Sequence, residues 1–385
     1  MRRIGKTAAL NQLDLACRAQ GYPVMKFECQ RLSPEFSYYD VLSDVIRGWA
    51  SIIETIYAHF ELPDSSVRVQ RYTANTATRF KKDVMQLWEG LRNHTQRDLR
   101  LVLLMDEVDR IFPKKGSTEE EYRQYCNLMG EIRATLQISG KPGMMAVVAA
   151  MESPQINLVD RFRFDERYSH FQNPMYASFE TVPIWLMKKQ GWAEMVQRIG
   201  ELGGLEYTTD SLDWLYEETK GHPAITRRLC SCIVDLRAEG EISSHIQVGD
   251  ISQAIHRFLQ EPSRYSNYLR TTFWENPLSV DVESDQRVMA ELATRWGYPK
   301  NELLPKLIEQ FDRFSLGIGT KATEAEKRFQ MDKLREATER LIDLNMIVED
   351  KETGEYRITV PLYQRWIRQK VLGIVDDEVR RSAVC

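Results

Sequence analysis

The first chemical signal lies at the start of the chain, in Met1-Arg2-Arg3-Ile4-Gly5-Lys6-Thr7. A glycine, a lysine and a hydroxyl in succession stand before a helical apolar pattern of Ala8, Ala9, Leu10, Leu13 and Leu15. This order reads as the second half of a phosphate-binding loop, G-x-x-x-x-G-K-[ST]. In such a loop backbone N–H groups wrap the β-phosphate, the lysine reaches the β/γ oxygens and the hydroxyl holds Mg²⁺. The helix that follows turns its positive end onto the same anion. Gly5, Lys6 and Thr7 are in place, and the leading glycine of the pattern falls one residue before Met1.

A second signal follows about a hundred residues later, a spacing that phosphate-loop folds use. The apolar run Leu101-Val102-Leu103-Leu104-Met105 ends in Asp106-Glu107-Val108-Asp109. Ligands of open parallel sheets bind at the carboxyl ends of strands. There Asp106 can hold the hydration shell of Mg²⁺, and Glu107 can polarise a water for attack on a γ-phosphate. Asp109-Arg110 reads as a helix cap with a surface base. A second buried run, 143–151, ends in Glu152-Ser153, where a polar group can sense the γ-phosphate. Arg161, Arg163 and Arg167 alternate with acids and read first as a salt-bridged surface segment, with an arginine finger as the sharper alternative. Gly221-His222-Pro223 places a C-cap glycine before a helix-opening proline, which accounts for Gly221 and Pro223 and is neutral on His222.

The elements that must position these groups follow from periodicity. After the first helix, 23–29 reads as a short strand, 38–60 as an amphipathic helix, 63–75 as a loop and 80–91 as a helix. The run 99–105 is the clearest strand, followed by a charged loop at 116–121 and a helix at 122–136. Residues 143–151 give a further strand, and 179–184 a third short one after the two apolar runs. Strands alternating with helices imply an α/β domain with a largely parallel sheet. From 185 to 259 strand signals vanish, and helices are expected at 186–202, 209–219, 223–238 and 249–259. A linker at Glu261-Pro262 leads to a helix at 266–274. Helices at 284–296, 300–311 and 332–345 precede strands at 347–350 and 355–360, the order of a winged helix. An aromatic helix at 361–370 closes the pattern.

Composition narrows the class. The 385 residues are 43% apolar and 28% charged with a net charge of −4, so no global basic character announces nucleic acid or an anionic membrane. No apolar run approaches the length of a membrane span. Six cysteines without C-x-x-C pairs suit a reducing cytoplasm, and six histidines show no metal-ligand spacing. In the winged-helix candidate, the stretch from Lys333 to Asp343 mixes three bases with three acids, and Glu349, Asp350, Glu352 and Glu355 face Lys351 and Arg357. A DNA reader needs a basic stripe, and this face does not supply one.

Together the Arg-Arg-Ile-Gly-Lys-Thr run, the strand into Asp106-Glu107-Val108-Asp109, Gly221-His222-Pro223 and the terminal Val360-Pro361-Leu362-Tyr363-Gln364-Arg365-Trp366 look like the STAND-type P-loop ATPases, an AAA+-related class. The resemblance implies a P-loop NTPase sheet over 1–184, a helical lid over 185–262, a winged helix over 263–370 and a tail over 371–385. It implies that Arg3, Ile4, Gly5, Lys6, Thr7 and Ala8 line the phosphates of ATP or ADP, with Thr7 and Asp106 on Mg²⁺ and Glu107 orienting water. Glu152 or Ser153 would take the sensor position, with Pro223 near the base and His222 near the β-phosphate. In these folds a strand precedes the phosphate loop; the expectation is that this strand lies upstream of Met1 or is lost. The implied function is a cytoplasmic ATP-hydrolysing switch acting through a protein partner or self-association. The alternatives are a DNA-associated AAA+ factor and a scaffold without hydrolysis.

Overall fold

The computed structural model describes residues 5–32, 36–57, 60, 72–73, 79–113, 116–137, 143–151, 160–162, 166–182, 184, 186–275, 281–317 and 322–374. The chain divides into two units, Gly5–Ile184 and the stretch from Trp185 onward.

The first unit is built on three parallel strands: β1 (Val24–Glu28), β2 (Leu101–Asp106) and β3 (Met145–Ala149), in spatial order β1-β2-β3. All six residues of β2 are buried. Its side chains alternate, so Leu101, Leu103 and Met105 enter one apolar core while Val102 and Leu104 enter another on the opposite face. A strand buried on both faces has no polar side, which is why its sequence is a continuous apolar run.

The larger core is closed by α2 (Tyr38–Ile56), α3 (Phe80–Thr95) and α4 (Glu119–Leu136). In α2 the buried residues Val41, Leu42, Val45, Ile46, Trp49 and Ile53 recur at helical spacing and form one stripe. Trp49 is fully buried and donates its indole N–H to the Val102 carbonyl at 3.0 Å, fixing α2 over the centre of the sheet. The opposite face carries α1 (Lys6–Ala19), which buries Leu10 against Val24, Val102, Leu104 and Ala150.

Two expectations are corrected here. The charged loop expected at 116–121 is already helical from Glu119, because Thr118 and Glu121 form a reciprocal capping box. Residues 179–182 form no strand, and Val182 is 77% exposed. The run carries Glu180 and leads into Pro183, which has no N–H to give to a ladder. The loop expected at 63–75 lies outside the described residues apart from Tyr72 and Thr73.

The second unit opens with four helices, Lys189–Leu202, Thr209–Thr219, Pro223–Ala238 and Val248–Gln260. A two-residue parallel pair, β4 (Glu206–Tyr207) with β5 (His245–Ile246), escapes any periodicity argument because it is too short to show one. The linker expected at Glu261-Pro262 shrinks to the single C-cap residue Glu261, because residues 262–274 wind as π, α and π turns in succession. Helices Val282–Ala293, Lys300–Gly317 and Glu324–Asp343 follow. The last begins eight residues earlier than expected, at a Thr323–Glu326 capping box. β6 (Tyr298–Pro299), β7 (Ile347–Asp350) and β8 (Glu355–Ile358) form an antiparallel sheet in the order β6-β8-β7. Helix Pro361–Trp366 continues as a π turn, Ile367–Val371. One apolar core runs through this whole unit, from Trp192 to Ile367. Among the described residues no helix is long and apolar enough to cross a membrane.

Candidate functional site

Two hydrogen bonds fix the direction of α1. Arg18 Nη2 donates to the Val24 carbonyl at 2.8 Å, and Lys26 Nζ donates to Asn11 Oδ1 at 2.7 Å. Moving back along α1 therefore moves forward along β1, so the helix runs antiparallel to the strands. Its N-terminus lies at the end of the sheet where Glu28, Asp106 and Ala149 close their strands. Gly5, Lys6, Thr7 and Ala8 thus share a sheet end with Asp106 and Glu107.

Gly5 is the N-cap residue of α1, at φ 101° and ψ 16°. A Cβ added there would meet nothing within 4 Å, so the requirement for glycine is in the backbone and not in the room available. No side chain caps α1, and its first turn holds no acid. The first-turn N–H groups and the positive end of the helix dipole are left for a ligand or solvent to satisfy. Lys6 is half-buried, whereas Thr7 and Ala8 are exposed.

Across from it, Asp106 is buried, and its Oδ1 accepts the Glu107 backbone N–H at 3.0 Å. Glu107 adopts φ 53° and ψ 46°, a left-handed conformation that costs a non-glycine residue about 1 kcal/mol or more. The bend is held by the chain on both sides: the Val108 N–H donates to the Ala150 carbonyl at 3.1 Å, and Ala150 N–H donates to Met105 at 2.8 Å. The Glu107 carboxylate receives Arg110 Nε at 3.3 Å in a half-exposed pair. Cys29, just past β1, is fully buried, and its thiol is pushed up to about 12. Burial is the main cause, followed by the carboxylates of Asp106 and Asp109. Asp106, Glu107 and Asp109 thus lie at the same sheet end as the N-terminus of α1.

This donor set can do three things: bind an anion through orphan N–H groups and an ammonium, hold a hydrated cation on a buried carboxylate, and orient water on a more exposed one. Among the described residues there is no cluster of three or more His, Cys, Asp or Glu able to hold a metal by itself. Mg²⁺ that arrives with phosphates needs only one or two protein oxygens, and the oxygens available at this sheet end are those of Asp106, Glu107 and Thr7.

No protein-family model matches the chain, and no curated protein does either. Arg3, Ile4, Glu152, Ser153 and Arg163 lie outside the described residues.

His222 and Pro223 belong to the second unit. His222 is fully buried, and its Nδ1 accepts the Ile225 N–H at 3.4 Å as the N-cap of helix Pro223–Ala238. Its ring meets the Phe273 ring edge-on at 5.5 Å. Pro223 opens the helix at a position where its missing N–H is not needed. Arg227 is exposed, and Arg228 lies over the Tyr268 ring at 4.6 Å.

Sequence reasoning missed what Gly221 does. It sits at φ 72°, and a Cβ there would come within 2.3 Å of the Met187 carbonyl oxygen. The Gly221 carbonyl accepts the Met187 N–H at 3.2 Å, and Tyr216 Oη donates to the Met187 carbonyl at 3.1 Å. The Gly-His-Pro turn is thus a socket for the backbone at 186–188, where the chain enters the second unit. The sequence shows a turn there but carries no mark of the segment it receives.

Proposed function

We propose that the chain is a nucleotide-controlled switch that binds ATP or ADP with Mg²⁺ at the carboxyl end of its three-stranded sheet. The observation that carries this reading is the shared sheet end. An uncapped helix N-terminus opened by a left-handed glycine and followed by Lys6 and Thr7 stands there with the Asp106–Glu107 pair. Three parallel strands with α1 on one face and α2, α3 and α4 on the other support a P-loop NTPase fold. Three helices with an antiparallel β6-β8-β7 sheet support a winged helix in the second unit.

In this reading the N–H groups from Gly5 to Ala8 bind the β-phosphate and Lys6 binds the β/γ oxygens. Thr7 and Asp106 hold Mg²⁺, which would draw charge off the phosphate oxygens. Glu107 orients the attacking water; its left-handed backbone is a strained conformation of the kind that clusters at functional sites. The Arg110 contact is half-exposed and weak enough to yield to a substrate-bound arrangement. The output passes to a protein partner in a cytoplasmic setting.

The DNA-binding alternative has less support. Lys300 sits on Glu349 at 2.9 Å, Lys327 on Asp312 at 2.8 Å, Arg340 on Asp285 at 2.5 Å and Arg357 on Glu355 at 2.9 Å. Bases already neutralised by neighbouring acids make a poor phosphate stripe.

Calorimetric titration with Mg-ATP and Mg-ADP tests the reading. The native chain is expected to bind, Lys6→Ala to lose binding with its circular dichroism spectrum unchanged, and Glu107→Gln to bind normally while turnover falls 10²-fold or more. Equal affinity in Lys6→Ala would remove the phosphate-loop assignment, and equal turnover in Glu107→Gln would free Glu107 of its role.

A further inference from the structure

The second unit holds a buried ion pair that nothing in the sequence announces. Arg365 belongs to helix Pro361–Trp366, and Glu218 to helix Thr209–Thr219, 147 residues earlier. Arg365 Nε lies 3.2 and 3.1 Å from the two carboxylate oxygens of Glu218, and Nη2 lies 3.0 Å from Oε1. The two side chains are only 9% and 4% exposed. The guanidinium also lies over the Trp296 ring, 4.9 Å from its centre. One cation therefore joins the early helices, the turn before β6 and the final helix. Beside it, Phe273 touches His222 at 5.5 Å and Tyr363 at 5.2 Å.

Burying two charges removes both from water, and their attraction roughly restores what desolvation takes away. The pair therefore contributes little net stability. Its selectivity is another matter: either charge alone in the interior is severely penalised, so every arrangement in which the two fail to meet is disfavoured. The apolar core around it lacks that discrimination, because hydrophobic attraction is non-directional. We propose that Glu218–Arg365 is an interlock that holds residues 186–275 and 281–374 as one rigid arm. The inference is independent of nucleotide binding by the first unit.

Hydrogen exchange by mass spectrometry on the full chain tests it. Glu218→Gln keeps the side-chain shape and removes the charge. Amides of Pro361–Trp366 and of β7 and β8 are expected to exchange tenfold faster or more. Those of Lys189–Leu202 and Val248–Gln260, and of the first unit, keep native rates. Uniform acceleration across 186–374, or none at all, would overturn the interlock. Should Glu218→Gln fail to fold, Arg365→Lys keeps the charge and removes the two-pronged contact. The same selective acceleration is expected there; native rates or uniform acceleration in that variant would overturn the interlock.

Discussion

Glycines at positive φ separate two demands that a sequence cannot tell apart. Gly221 and Gly240 both sit in the left-handed region, at φ 72° and 80°. A Cβ at Gly240 would meet nothing within 4 Å, whereas one at Gly221 would strike the Met187 carbonyl. Gly240→Ala is expected to destabilise the chain by about 1 kcal/mol, the conformational penalty alone. Gly221→Ala should cost about 2 kcal/mol more, because the segment at 186–188 must move off its hydrogen bonds. Urea unfolding of the two variants measures the difference; equal losses would mean that the Met187 socket carries no energy. Legibility at this scale is uneven. Gly5-Lys6-Thr7 and Asp106-Glu107 are readable because their chemistry is local, a few residues wide. Glu218 and Arg365 are not, because a charge in the interior looks in sequence like any charge on a helix surface.

At the level of elements, the sheet has an inside strand and an exposed one. Leu103 in β2 is 1% exposed, while Val148 in β3 is 37% exposed. Among the described residues no strand pairs with β3 on the side away from β2. Leu103→Ala is expected to cost about 2–5 kcal/mol through a cavity with nothing to fill it, and Val148→Ala about 1 kcal/mol or less. A comparable loss at both positions, read from thermal unfolding, would mean that β3 is covered as fully as β2. The same contrast explains what periodicity delivers. Helices Thr209–Thr219 and Pro223–Ala238 match their expected bounds, since capping residues and a proline mark their starts. β4, β5 and β6 have two residues each, fewer than any period needs. The expected strand shows the converse: residues 179–182 form none, because a ladder needs N–H groups and the run leads into a proline.

For the molecule as a whole, buried thiols set a pH limit. Cys29 and Cys232 are fully buried in different units, and burial pushes each thiol from about 9 up to about 12. The neutral thiol is the form the fold accommodates, so the folded state holds its proton more tightly than the unfolded chain. Stability from this source is complete below pH 9 and is lost as pH rises from 9 toward 12, at up to about 1.4 kcal/mol per pH unit for each thiol. The urea midpoint is expected to be flat from about pH 7 to 8.5 and to fall above pH 9, with Cys29→Ala showing a shallower fall. A Cys29→Ala profile parallel to the native one would show that the thiol does not titrate on unfolding in this range.

Each of the two units draws its core from one uninterrupted stretch of chain, so neither core has to wait for residues from the other. During synthesis the first unit can complete its sheet as soon as β3 and the segment up to Ile184 have left the ribosome. The second unit cannot do the same: Glu218 emerges early, and its contact with Arg365 has to wait for a residue 147 positions later. The second unit is thus completed only once helix Pro361–Trp366 has joined it.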